Sequence, residues 1–329
     1  TMSFKDYALH SEEAAAIDKQ IAAEREKVLA DLDEKQIKYT TGDCYNTLLS
    51  GFEISIKAGD FKATCQSLGK GQGIIVSEVY EKCETKLVEN EVNVFDTGIF
   101  NSGGCGYDGS GMVVAVLDTG LDSNHTAFSP SNFTSNKLGL TYKDVAALVG
   151  NTVASKQHGG LTVDDVYINE KVPFGYDYAD NDPDVYSTHN NHGTHVSGVI
   201  VGKDDVITGV APNAQLVSMK IFSDVYDSAI SSWILSALED CVILGVDVVN
   251  MSLGTACGFA RESDEEIMNG VYDKLRNAGI SVIVAASNSY SSAFGSEKNG
   301  NLPLTSNPDT GTVGSPGTYE GVLSVASIN

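Results

Sequence analysis

The chain has 329 residues, with 21 Lys and Arg against 44 Asp and Glu and a formal net charge of −23. That length can bury a large core, in one large domain or two smaller ones, and the charge repels phosphate backbones and anionic lipid, which excludes nucleic acid as a partner. No apolar run approaches the roughly 20 residues that span a bilayer, and the first residues lack the basic-then-apolar plan of an export signal.

"SEEAAAIDKQIAAEREKVLADLDEKQ" (11–36) places Ser11 as a cap, acids in the first turn, and Ile17, Ile21, Val28 and Leu32 on one face, which predicts an amphipathic helix. "GFEISIKAG" alternates Phe52, Ile54 and Ile56 with polar neighbours, "DFKATCQSLGK" follows at helical spacing, and "GIIVSEVY" resumes as a strand. Together they predict a compact β-α-β unit. The expected division is an N-terminal helical segment over 1–40, a small α+β domain over 41–93, and a larger domain over 94–329.

From about residue 108 near-continuous apolar strands alternate with helices. The strands are "MVVAVLD", "AQLVSMKIF", "VDVVNMSL", "ISVIVAAS" and "GVLSVAS"; the helices are "HGTHVSGVIVG", "SAISSWILSALEDCVILG" and "DEEIMNGVYDKLRNAG". Buried parallel strands read this way because both faces are covered, so the expected fold class is α/β, a doubly wound, mostly parallel sheet. Its functional groups then belong at the carboxyl ends of the strands. Asp118, Ser252 to Gly254, Asn288 and the histidines that open a helix all have that placement. "FGYDYADNDPDVYSTHNN" is polar and turn-rich and is expected to be an exposed loop, with Asp177, Asp180, Asp182 and Asp184 as solvated charges rather than a substrate-steering cluster.

The six cysteines have no C-x-x-C spacing, which disfavours a zinc ribbon or thioredoxin-type motif, and Cys241 within "CVILGVDVV" reads as a small buried hydrophobe. In "NNHGTHVSG" two histidines stand three apart with a third at His189. A zincin uses H-E-x-x-H, with histidines four apart and an acid between them. Here Gly193 and Thr194 fill the gap, so a metal hydrolase using His189, His192 and His195 is a distant reading and no metal ligands are assigned. A general base fits better, because the partial positive charge at a helix start keeps an imidazole neutral. A buried carboxylate must then fix its tautomer, and Asp118, closing an apolar strand, is suited to that.

"VVAVLDTGLD", "NNHGTHVSGVIVG", "VVNMSLG" and "VIVAASN" resemble, in order, the subtilisin-like serine proteases. The resemblance implies Asp118 as orienting acid, His192 as base, His195 as a structural neighbour and Asn288 as the side-chain donor to the oxyanion. Ser252, Leu253 and Gly254 then resemble the strand that pairs with the substrate backbone. Ser287 stands where the family has glycine before the asparagine. "FGYDYADNDPD" and "NLPLTSNPDTGTVGSPGTYEGVLSVASIN" are similar to the cell-envelope branch, the C5a peptidases and lactocepins. More weakly, "YNTLLSGFEISIK" resembles an inhibitory propeptide, whose tail would lie in "EVYEKCETKLVENEVNV" within the substrate cleft.

The family's nucleophile stands in G-T-S-M-[AS], and this sequence has none: "DGSGM" precedes the first strand and "GTACG" carries Ala256 where serine is needed. The reading is therefore part of a serine endopeptidase zymogen. Its serine lies on a C-terminal remainder, expected as a second chain after an inserted protease-associated domain, and peptides are its substrates. The resemblance implies a secreted or bacterial cell-surface location, no cofactor for catalysis, and structural calcium through oxygen ligands that the spacing does not identify. The alternative is a non-catalytic relative that keeps the cleft as a peptide-binding module.

Overall fold

A computed structural model describes residues 12–67, 74, 76, 79–82, 106–255, 262–288, 294–296, 300–301 and 313–326. The predicted first helix is present as α1 (Glu12–Glu34), with Glu12 and Glu13 in its first turn. Its apolar stripe is used unevenly: Leu32 is fully buried, whereas Ile17 is 44% exposed. Ser11, the expected cap, lies outside the described residues.

After α1 the structure departs from the predicted β-α-β unit. β1 (Tyr39–Tyr45) pairs antiparallel with β2 (Gly51–Ile56), and α2 (Phe61–Ser67) follows. The strand expected in "GIIVSEVY" appears among the described residues as β3 (Val79–Lys82), and it does not join β2. It lies antiparallel between two strands of the larger region. β1 was illegible because "YTTGDCY" lacks apolar alternation; the hairpin partner and the packing of Tyr45 against the main core hold it in place.

The larger region runs β4 (Val113–Asp118), α3 (Tyr142–Leu148), α4 (Val153–His158), α5 (Val163–Val166), β5 (Phe174–Asp177), α6 (His192–Val201), β6 (Gln215–Lys220), β7 (Ala229–Ile230), α7 (Ser231–Leu244), β8 (Val248–Met251), β9 (Leu253–Gly254), α8 (Glu262–Asn277), β10 (Ser281–Ala285), β11 (Phe294–Ser296), β12 (Gly300–Asn301) and β13 (Val322–Val325). Six strands form one parallel sheet in the order β13-β10-β8-β4-β6-β5. The expected doubly wound α/β architecture is thus observed.

Strand alternation divides the core in two. Val113, Ala115 and Leu117 of β4 pack with Leu238 and Val242 of α7 and Val271 and Leu275 of α8. Val114 and Val116 face Val196, Ile200 and Val201 of α6 on the other side. A period of two along β4 therefore buries both faces under helices, the arrangement a parallel sheet requires. All but one residue of α7 is buried, and Cys241, as expected, is a fully buried hydrophobe beside Met219.

The expected exposed loop over 174–191 is corrected at its start. Phe174, Tyr176 and Tyr178 are fully buried, and β5 adds the last strand to the sheet through register pairs such as Tyr176 with Met219. Tyr178 Oη donates to Asp240 at 2.8 Å, which lets a phenol sit deep in the core. The remaining residues up to 191 do form a turn-rich connection into α6.

Candidate active site

Parallel β4 ends at Asp118, whose side chain is 1% exposed. α6 begins at His192, and the His192 Nδ1 to Asp118 Oδ1 distance is 2.7 Å. Residues 74 positions apart in sequence are thus joined by one charge-assisted hydrogen bond at the carboxyl edge of the sheet.

The local backbone makes that approach possible. Thr119 donates its backbone N–H to Asp118 Oδ1 at 2.6 Å, and Thr119 Oγ1 accepts the Gly193 N–H at 2.9 Å. A Cβ on Gly193 would lie 2.3 Å from the Gly120 carbonyl oxygen, so only glycine lets the first turn of α6 close onto the end of β4. Gly120 itself sits at φ 114°. The start of α6 is also held from the preceding loop, where Asn190 Oδ1 accepts the His192 N–H at 2.9 Å.

The other two histidines do not join this pair. His195 is exposed and borders a shallow cavity of about 290 Å³ with Asp122, His125, Tyr186 and Asn190, and His189 is exposed on the loop. Among the described residues no three His, Cys, Asp or Glu side chains come together as a metal-ligand group.

Ser252, Leu253 and Gly254 follow β8, one strand from β4 in the sheet. Gly254 is registered with Glu81 and Leu253 with Lys82, so β9 already carries an antiparallel partner, β3, from the N-terminal region of the same chain. The other side of β3 pairs with β7, Val79 opposite Ile230 and Tyr80 opposite Ala229. β3 is therefore the central strand of a three-stranded antiparallel layer. Asn288 is exposed just beyond β10, on the same carboxyl edge. Its neighbour Ser287 has φ 123°, a backbone conformation that favours glycine. The serine-for-glycine difference noted in the sequence thus falls where glycine would relieve strain of about 1–3 kcal/mol.

A charged cluster beside the pair was missed in the sequence. Lys220, at the end of β6, is registered between Asp118 on β4 and Asp177 on β5, and its side chain is 1% exposed. Its ammonium donates to Asp177 in a very short contact and to Asp180 at 3.1 Å, with Asp224 at 3.8 Å. Burial pushes the Asp177 carboxyl up to about 6 against the pull of Lys220. Burial works to lower the Lys220 ammonium, but the hydrogen bonds and charges of Asp177 and Asp180 outweigh it and raise its pKa. Asp177 is therefore a buried ion-pair partner and Asp180 a partly exposed one, rather than the solvated loop charges expected. The available signal was a lysine inside the apolar run "LVSMKIF".

The site is thus a parallel sheet with a carboxylate and a histidine joined at its carboxyl edge, beside a strand already paired with an extended segment of the same chain. The pattern of the subtilase family matches residues 109–329, and the chain belongs to that family. A PI-type proteinase of Lactococcus lactis subsp. cremoris is 32% identical over 332 residues, covering 98% of this chain and 16% of the relative. A C5a peptidase of Streptococcus pyogenes serotype M18 is 34% identical over 229 residues, covering 67% of this chain and 18% of the relative. The chain thus spans less than a fifth of the length of these relatives. Among solved structures, a lanthipeptide protease aligns with a TM-score of 0.41 at 19% identity, covering 67% of this chain and 50% of that one. The psychrophilic subtilisin-like protease Apa1 from Pseudoalteromonas sp. AS-11 aligns with a TM-score of 0.37 at 24% identity, covering 66% and 36%.

Proposed function

We propose that the chain is part of a serine endopeptidase in zymogen form, and the observation that carries this reading is the 2.7 Å contact between His192 Nδ1 and Asp118 at the sheet edge. Asp118 holds the imidazole in one tautomer, leaving Nε2 to take the proton of a serine hydroxyl as that hydroxyl attacks a peptide carbonyl. The imidazolium then returns the proton to the leaving amine. The Asn288 side-chain amide donates to the oxyanion of the tetrahedral intermediate, a contact worth about 10²–10³ in turnover in subtilisin itself. No cofactor is needed for these steps.

The serine belongs to a segment outside the given sequence, which has no G-T-S-M motif. Ser252, Leu253 and Gly254 pair with the substrate backbone. The β3 pairing supports an inhibitory role for the N-terminal region, since the strand already on β9 occupies the register a substrate would take. Exposed Leu323 and Val325 on β13, the last strand of the sheet among the described residues, supply an apolar surface that a further segment can cover. The relatives' names, a proteinase and a peptidase of bacteria, support a bacterial protease, and the proposal places it secreted or at the cell surface.

The missing nucleophile favours a second reading, a non-catalytic subtilase relative that binds peptides. A fluorophosphonate label applied to the protease that contains this chain separates the two. Labelling that disappears in His192→Ala, together with a fall in turnover of about 10⁴-fold in Asp118→Asn, is the expected result. Absence of label in every processed form establishes the binding module instead.

A further inference from the structure

Lys220 and its three carboxylates have no part in the proton transfer described above, yet their hydrogen bonds lead to the base. Asp180 Oδ1 accepts from Ser223 Oγ at 2.7 Å, and Asp180 Oδ2 accepts the Asp224 N–H at 2.9 Å. Asp224 Oδ1 accepts from Ser187 Oγ at 2.7 Å. Ser187 Oγ in turn accepts the Asn190 N–H at 3.1 Å, and Asn190 Oδ1 accepts the His192 N–H at 2.9 Å. A continuous polar path therefore runs from a buried cation on β6 to the first residue of α6.

The path crosses the loop over 178–191, which has little apolar anchorage of its own: apart from Tyr178 and Val185 its residues are partly or fully exposed. Val185 secures its middle by accepting the Leu121 N–H at 2.8 Å, and the stretch next to His192 is held by Ser187 and Asn190 together with Thr119 Oγ1, which donates to the Asn190 carbonyl at 3.5 Å. A buried ion pair is a poor source of stability compared with apolar residues of the same volume, because both charges must be stripped of water.

We propose that Lys220 and Ser187 are positioning residues for His192: Lys220 gathers Asp177, Asp180 and Asp224, and Ser187 transmits that anchorage to the loop segment that holds the histidine against Asp118. This role rests on His192 being the base. The groups facing Lys220 are Asp177 on β5, Asp180 on the loop after it and Asp224 after β6, with Asp118 beside it in the sheet. Its influence on His192 passes through the loop.

The test uses the protease that contains this chain, with Ser187→Ala, Ser187→Thr, Lys220→Met and His192→Ala. Ser187→Ala removes no charge and is expected to fold. It should lower kcat about ten- to a hundredfold, the size of effect that a small misplacement of a reacting group produces, with KM unchanged. The low-field proton signal of the His192–Asp118 hydrogen bond, assigned by its loss in His192→Ala, should broaden in Ser187→Ala and recover in Ser187→Thr. Lys220→Met should show the same changes more strongly if it folds. Wild-type kcat and an unaltered low-field signal in Ser187→Ala, with His192→Ala inactive, overturn the positioning role and leave the base assignment standing. Full activity in His192→Ala overturns the base assignment itself.

Discussion

Residues 12–67 and residues 106–255 are held together in different ways. In the first region α1 buries a single residue, Leu32, over 23 positions, and the hairpin relies on Tyr45 and Leu48, which pack into the core of the larger region. In the second, α7 buries 13 of its 14 residues and β4 all six. The larger region stabilises itself through its own apolar core, whereas the smaller is held at one joint.

That joint is built on α7. Glu239 accepts the backbone N–H groups of Thr47 at 2.8 Å, Leu48 at 2.6 Å and Leu49 at 3.2 Å. Ser236 Oγ donates to Asp43 at 2.7 Å, and Lys274 on α8 donates to the Leu48 carbonyl at 2.6 Å. The next residue along α7, Asp240, is turned about 100° around the helix and accepts the N–H groups of Val153 and Ala154 at the start of α4. Two adjacent acids on one helix therefore tie it to different regions, and in each case a carboxylate satisfies backbone donors that burial would otherwise leave unpaired.

Equal leucines in the two regions give the largest contrast. Leu117 on β4 and Leu32 on α1 are both fully buried, so each change to alanine removes the same atoms. Leu117→Ala is expected to cost about 2–5 kcal/mol of global stability. Leu32→Ala should open only the N-terminal region, so hydrogen exchange would show lost protection over 12–67 and wild-type protection in β4 and β6. Equal loss in both regions would break the comparison.

Glu239→Ala probes the joint itself. It leaves backbone donors of 47–49 without their acceptor, at about 1–3 kcal/mol. Limited proteolysis should then cut within 39–56 faster, while the rest of the chain resists cleavage as before. Unchanged cutting rates would show that Tyr45 and Leu48 alone hold the region down.

A pH dependence comes from Asp240. Burial raises its carboxyl to about 7 from an ordinary 3.8, outweighing the N–H groups of Ala154 and Val153 and the Tyr178 hydroxyl, which lower it. The folded chain therefore binds a proton that the unfolded chain has released, so this contribution is fully present below the unfolded value and is lost as pH rises through about 7. Between those limits the slope is about −1.4 kcal/mol per pH unit for one proton. Burial raises Glu239 in the same direction, so its contribution also favours the folded chain as pH falls. Denaturant midpoints measured from pH 4.5 to 7 should fall with pH, and the slope should shrink in Asp240→Asn.

The sequence made the larger region legible where structure is local. "VVAVLD" and "SVIVA" are apolar runs because both faces of a parallel strand are covered, and the glycines beside Asp118 and His192 mark a turn and a close helix approach. β5 escaped notice because "FGYD" is short and continues into a polar loop, and its burial depends on β6 standing next to it. β1 escaped because its stability comes from a partner strand and from α7.

The sequence by itself determined the α/β fold and which residues stand at the strand ends, since chain order and apolar periodicity set where each strand stops. Only the tertiary structure decided which of those residues meet. His192 reaches Asp118 because α6 packs glycine to glycine on the end of β4, β3 finds β7 and β9 rather than β2, and buried Lys220 gathers three acids around its ammonium. Each of these is a choice among distant partners, fixed by packing and by the need to pair buried polar groups.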